Sequence, residues 1–408
     1  MQRTPRLLLI LDGMGDRPIP ELGDKTPLQA ANLPIMDQLV MEGQCGIADP
    51  VKSGTIATTV MGTLAILGYD PLKFSIARGV IEAIGCGMKI MPGDVAFRGN
   101  WATLDEKGLI VDRRAGRIRD GTKELSSSLT GLKIDDVSFY VGFGTEHRLA
   151  IVMRGSGLGV CLSGSDPGDH SLSSRTIRHP EVLKKDDEKS LRTAKYLQLF
   201  ELAARKILST HRVNIERESK RLLPANSILT REPGQVHSFP KLKRPSGLGL
   251  TSICITGDET IQGIAKVTGM NVCKTMGMTA NLDTDLNKKF ELAENMLKKY
   301  GLVVLHIKGC DIAAHNKDAE KKKDFLEKID TKLGRFLGSW HGKLRLCITA
   351  DHTTWSKEGV HTDDPVPVLL HGSGISADSV KKFDEIKVLK GQLGRFRMYK
   401  LWGKIFSR

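Results

Sequence analysis

Ile348-Thr349-Ala350-Asp351-His352-Thr353-Thr354, followed a few residues later by His361, is the stretch on which the reading of this chain turns. Leu344 to Ile348 is a short, mostly apolar run of strand length, and it leads directly into an acid and an imidazole. Asp and His together suit a divalent cation of borderline character, such as zinc or manganese. A single Asp-His pair is more often a helix cap beside a surface imidazole, so recurrence matters. Leu302 to Ile307 is a second apolar run, and it leads into Asp311 and then His315. Leu7 to Leu11 is a third, ending in Asp12-Gly13. Three strands that each deliver an acid past their C-terminal ends are what a ligand site at the edge of an open α/β sheet requires.

Composition bounds the rest. A chain of 408 residues exceeds one typical core, so two domains are expected. No apolar run approaches the length of a membrane span. The opening residues lead into a strand too short for a signal-peptide core. A cytoplasmic setting is expected, or an organelle matrix where a transit peptide has been removed. Seven scattered cysteines without a Cys-x-x-Cys fit buried thiols in a reducing compartment. The net charge of +14 is compatible with an Arg-rich substrate pocket, a lysine-coated surface or a polyanionic partner such as nucleic acid. Only 5% of residues are aromatic, which leaves few platforms for stacking single-stranded bases.

Taken in order, Thr26-Pro27 opens a helix whose apolar face is Leu28, Ala31, Leu33, Met36, Leu39 and Val40. Cys45 to Val51 reads as a strand. The small and hydroxyl residues from Gly54 to Thr63 follow. A hydroxyl at a helix start near a metal site serves as nucleophile, phosphate binder or plain cap, and spacing leaves all three open. Between Phe74 and Gly247 the character changes. Asp112-Arg113-Arg114-Ala115-Gly116-Arg117 gathers three guanidinium groups whose forks suit phosphate or carboxylate, although a solvated basic loop is the commoner fate. Residues 181–220 read as one or two amphipathic helices. Pro240 to Gly249 reads as a linker, Thr251 to Ile255 as a returning strand, and Ile261–Thr268 and Phe290–Lys299 as helices. Asp318 to Phe336 reads as a charged helix whose Lys321-Lys322-Lys323 forms a solvated face.

These pieces together resemble the archaeal-type 2,3-bisphosphoglycerate-independent phosphoglycerate mutases of the alkaline phosphatase superfamily. The likeness runs over nearly the whole chain. It is carried by Leu11–Asp16, Leu67–Pro71, Pro92–Arg98, Asp112–Arg117, Asp283-Thr284-Asp285, and Ala350-Asp351-His352 through His361 to Pro367. It implies an α/β, alkaline-phosphatase-like core with helices on both faces of its sheet, formed by residues 1–73 and 248–408. An α+β substrate domain, 74–247, is inserted into it. It also implies two divalent ions, manganese ahead of magnesium, cobalt or zinc. Asp311, His315 and His361 would hold one; Asp12, Asp351 and His352 would hold the other with the nucleophile oxygen of Thr59. Arg78, Arg113, Arg114, Arg117 and Arg148, with Asp166, would grip the phosphoglycerate. The implied activity is a glycolytic isomerase that moves the phosphoryl group between the 3- and 2-hydroxyls through the enzyme.

Four positions depart from the pattern. Thr59-Val60 stands where the family carries Ser followed by an acid. Thr63 replaces a usual His, and Gln262 a usual Lys before Gly. A mutase working through phosphothreonine is therefore weighed against two alternatives. One is a degenerate relative acting as a binding or assembly component on an anionic partner such as RNA. The other is a phosphohydrolase of the same superfamily.

Overall fold

The computed structural model describes residues 4–168, 175–242 and 251–406. Its packing divides the chain into two units, Met1–Ser75 with Pro240–Arg408, and Ile76–Phe239. The expected return at 247/248 lies outside the described residues, as does most of the linker expected over 240–249.

The first unit is built on an eight-stranded sheet. In order across it run Asn271–Cys273, Ser252–Ile255, Leu302–Ile307, Arg6–Leu11, Arg345–Thr349, Val366–Gly372, Gln44–Asp49 and Gly394–Arg397. Every neighbouring pair is parallel except the two made by Val366–Gly372. Arg6–Leu11 is buried at every position, as are Leu302–Ile307 and nearly all of Arg345–Thr349. That explains their mostly apolar runs: a strand covered on both faces has no solvent side to make polar. Register aligns their ends, since Ile10 lies opposite both His306 and Thr349. Asp12, Lys308 and Asp351 therefore leave the sheet side by side. Among the described residues, no helix is long and apolar enough to cross a membrane.

Two expectations are corrected here. The helix expected from Thr26 is two helices, Pro27–Ala30 and Pro34–Met41. Thr26 closes the first with a capping box. Pro34 then breaks the run, because a residue before proline is kept out of the α region, and Leu33 sits at φ −123°, ψ 59°. The Lys321–Lys323 run is not wholly solvated either. Lys322 is fully buried in helix Ala319–Ser339. Its ammonium donates to the carbonyls of Gly15 and Thr354 at 2.8 and 2.9 Å and to Asp16 at 2.8 Å. A cation with three such acceptors is compensated in the interior, where an unpaired one is not.

The second unit is antiparallel. Val95–Leu104 pairs with Ile110–Asp112, Arg148–Arg154 and Ser227–Gln235; Val137–Phe143 continues the sheet to Lys133–Ile134. Its core includes Trp101, Phe97, Leu149 and Ile151. Helix Glu188–Ser209 packs onto this core, with Phe200 stacked on Phe139 at 4.4 Å. The 181–220 region thus holds this helix and a second, Arg212–Ser219.

Candidate metal centre

The three strand ends converge. Asp12, Asp351 and His352 are completely buried, and Asp311 nearly so. His352 Nε2 lies 3.4 Å from Asp12 Oδ1 and 3.3 Å from Asp351 Oδ2. Beside this group, Asp311 Oδ1 is 3.2 Å from His315 Nε2 and 3.5 Å from His361 Nε2, and the two imidazole nitrogens are 3.2 Å apart. The rings of His352 and His361 stack at 3.7 Å, so the two groups adjoin. Ligand atoms of Asp311, His352 and His361 also fall within 4.8 Å of one another, which makes His352 common to both.

Hydrogen bonds assign the tautomers. His315 Nδ1 lies 2.7 Å from the Gly359 carbonyl and His361 Nδ1 3.0 Å from that of Ala57, so both nitrogens carry the proton. Thr354 donates its hydroxyl to Asp311 at 2.9 Å, and its oxygen accepts from His352 Nδ1 at 3.1 Å. Nε2 of all three rings then carries the lone pair and faces the carboxylates, with that of His352 also within reach of the Thr59 hydroxyl. Burial, with His361 alongside, lowers His352 to about 4, which keeps it neutral. The carboxylates are sorted in the same way. Asp351 Oδ1 accepts the Gly13 amide at 3.3 Å, and Asp12 Oδ2 accepts from His306 and Lys308 at 2.9 Å each. Asp351 Oδ2 and Asp12 Oδ1 are left buried without a hydrogen-bond partner. Lone pairs crowded together without donors are what a cation would satisfy, and imidazoles held through their other nitrogen are the usual outer support of a metal ligand.

Burial alone would raise the Asp12 and Asp311 carboxyls, yet Lys308 chiefly holds both well below the usual range. Asp351 goes the other way: burial, then the charge of Asp12, pushes it well above. Lys308 is buried between Asp12 and Asp311, and their charges raise its ammonium against the cost of burial.

Thr59 is the first residue of helix Thr59–Ile66. Its hydroxyl sits 3.2 Å from His352 Nε2, whereas exposed Thr58 caps the helix by accepting from the Met61 amide. Ser53 is occupied with Arg395. The helix reaches this close through Gly62, where a Cβ would overlap the main chain of Asp351. Gly62→Ala should therefore destabilise the protein by about 3 kcal/mol, as overpacking against rigid backbone does. Denaturant unfolding checks this, and a wild-type midpoint would show that the helix approach is not tight.

The arginines of the second unit form their own group. Asp166 takes Arg113 at 2.6 Å and Arg231 at 3.2 Å. Arg78 and Arg98 share Glu82 and Glu232 at 3.5 to 3.7 Å. Burial and the charges of Arg148, Arg114, Arg98 and Arg117 drive His147 down to about 3, so these guanidinium groups surround one neutral imidazole. Ala115, Gly116 and Arg117 all have positive φ. Strain of that kind collects where a loop is held for function. Arg114 and Arg117 are exposed, while Arg113 and Arg148 are half-buried.

The sequence profile of the metalloenzyme superfamily matches residues 4–401. A 2,3-bisphosphoglycerate-independent phosphoglycerate mutase of Archaeoglobus fulgidus is 41% identical over 398 residues, covering 96% of this chain and 95% of that one. The enzyme so named from Picrophilus torridus is 39% identical, with 95% and 93% covered. The chain belongs to the 2,3-bisphosphoglycerate-independent phosphoglycerate mutases. Among solved structures, the cofactor-independent phosphoglycerate mutase of Thermoplasma acidophilum is similar over 98% of both chains, with a TM-score of 0.65 and 32% identity. A Pyrococcus horikoshii protein is similar with a TM-score of 0.81 and 29% identity, covering 99% of this chain and 97% of that one.

Within this mutase chain the atypical positions are all in or beside the Thr59 helix. Val60 and Thr63 are buried in it, and Gln262 is buried in Glu259–Val267, which packs against it. Several residues of the two clusters escape sequence reasoning. His306 could have been noticed as an imidazole inside an otherwise apolar strand, and Lys308 stands three residues before Asp311. Arg98, one of the arginines of the inserted segment and the end of the Pro92–Arg98 motif, was not among the residues expected to grip the substrate. Arg231 and Thr354 carry no local signal; pairing alone reveals them.

Proposed function

We propose that this mutase interconverts 3-phosphoglycerate and 2-phosphoglycerate through a phosphorylated Thr59, with two divalent ions, manganese by preference. The donor-poor cluster around His352 Nε2, with a hydroxyl on its rim, carries the reading. Asp12, Asp351 and His352 would hold one ion and Asp311, His315 and His361 the other, six ligands of oxygen and imidazole nitrogen that fit such a cation. Bound there, the ions would supply Lewis acidity that favours the alkoxide and neutralises charge on the transferring oxygens.

The protein's own groups do the rest. Thr59 Oγ1 gives up its proton and bonds to the phosphorus of 3-phosphoglycerate as the bond to the oxygen on carbon 3 breaks, and that oxygen takes up a proton. The 2-hydroxyl of the retained glycerate then gives up its proton and bonds to the phosphorus as the bond to Thr59 Oγ1 breaks, and that oxygen is reprotonated. Backbone amides at the start of Thr59–Ile66 favour negative charge at that oxygen. The arginines around His147, with Arg113 oriented by Asp166, bind carboxylate and phosphate bidentately. Holding the glycerate between the two transfers is what separates a mutase from a phosphohydrolase.

An enolase-coupled assay on protein of measured metal content tests this. Turnover of 3-phosphoglycerate should appear with manganese and vanish on chelation. Net release of inorganic phosphate without 2-phosphoglycerate would instead identify a phosphohydrolase, and metal-bearing but inert protein a binding component.

A further inference from the structure

Lys308 touches a carboxylate from each of the two ligand groups. Its ammonium is 2.9 Å from Asp12 Oδ2 and 3.0 Å from Asp311 Oδ2. The other oxygen of each residue points into its own group: Asp12 Oδ1 towards His352, and Asp311 Oδ1 towards His315 and His361. His306 adds a second donor to Asp12 Oδ2 and is itself set by Thr256 at 3.3 Å. On the Asp12 side, one lysine and one imidazole thus occupy the oxygen that a bidentate carboxylate would need. On the Asp311 side the lysine does so alone.

We propose that Lys308 is a positioning residue which keeps Asp12 and Asp311 one-oxygen ligands and so leaves a coordination position open in each group. The proposal rests on the two-metal reading above. A carboxylate binds a metal through one oxygen or both, a donor on the second oxygen holds it to one, and extra ligand atoms fill the positions that a catalytic centre must keep for substrate or nucleophile. A lysine suits the task because its ammonium offers three donors and no lone pair, so it satisfies both carboxylates without competing as a ligand.

Cobalt is the probe, because its visible d–d bands report coordination number without any turnover. Metal-free wild type, Lys308→Met and Lys308→Gln are titrated with Co2+ and followed by absorption. Wild type should take up two equivalents with the stronger bands of low coordination. Lys308→Met should also take up two, with bands that shift and weaken as the released oxygens join the metals. Lys308→Gln keeps a donor without the charge and should fall between; it also supplies the comparison if Lys308→Met does not fold. Superimposable spectra for wild type and either folded variant would overturn the proposal. A wild type that takes up no Co2+ would overturn the metal reading and this proposal with it, an outcome distinct from bound metal with unchanged spectra.

Discussion

Thr59→Ala should lower phosphoryl transfer at least about a thousandfold, roughly 4 kcal/mol of transition-state stabilisation, while leaving the folded state nearly unchanged. The Thr59 hydroxyl is the one beside His352 Nε2, and among the described residues that nitrogen is its hydrogen-bond contact, so its loss strands no other buried group there. Thr58 and Ser53 are committed to a helix cap and to Arg395 and cannot replace it. Brief exposure to labelled phosphoglycerate should trap phosphate on Thr59 alone. Thr59→Ser should retain activity or gain it, because the extra methyl limits χ1 and crowds an incoming phosphate. Label on Thr58, or a Thr59→Ala enzyme as fast as wild type, would remove the nucleophile assignment. An inert wild type rescued by Thr59→Ser would instead mark the threonine as the lesion.

What the sequence disclosed here was set by how local the cause is. Strands buried on both faces are apolar at most positions, so Arg6–Leu11, Leu302–Ile307 and Arg345–Thr349 were visible as runs, and the acids beyond them as a site. Asp311 and His315 share one helix turn, and Asp351 and His352 are adjacent, so their grouping needed little more than the end of a strand. Long-range compensation is another matter. Lys322 looks like its neighbours in a charged run, and only the approach of Gly15, Asp16 and Thr354 makes it an interior cation. Arg231 belongs with Asp166 because Thr230 binds Ser165 across the sheet edge, a pairing with no trace in spacing. Lys308 sits between legible ligands, but its task depends on which oxygen each carboxylate turns towards it.

Asp351→Asn should separate stability from metal binding. In wild type, a metal at about a thousand times its dissociation constant adds roughly 4 kcal/mol to unfolding. Asp351 Oδ2 is an unpartnered buried oxygen of the proposed site, so its replacement by an amide should remove most of that gain. The metal-free protein should respond in the opposite sense. Burial and Asp12 hold Asp351 above the ordinary carboxylate range, so the folded state keeps a proton that the unfolded chain releases. Such a group stabilises at low pH, and its contribution is lost as pH rises from the ordinary carboxylate value through the raised one. Metal-free wild type should therefore weaken over that interval, and Asp351→Asn, which never ionises, should weaken less. Thermal unfolding across pH, with chelator and then with manganese, measures both effects on one preparation. Equal stabilisation of variant and wild type by manganese would show that Asp351 holds no ion, whatever the metal-free curves do.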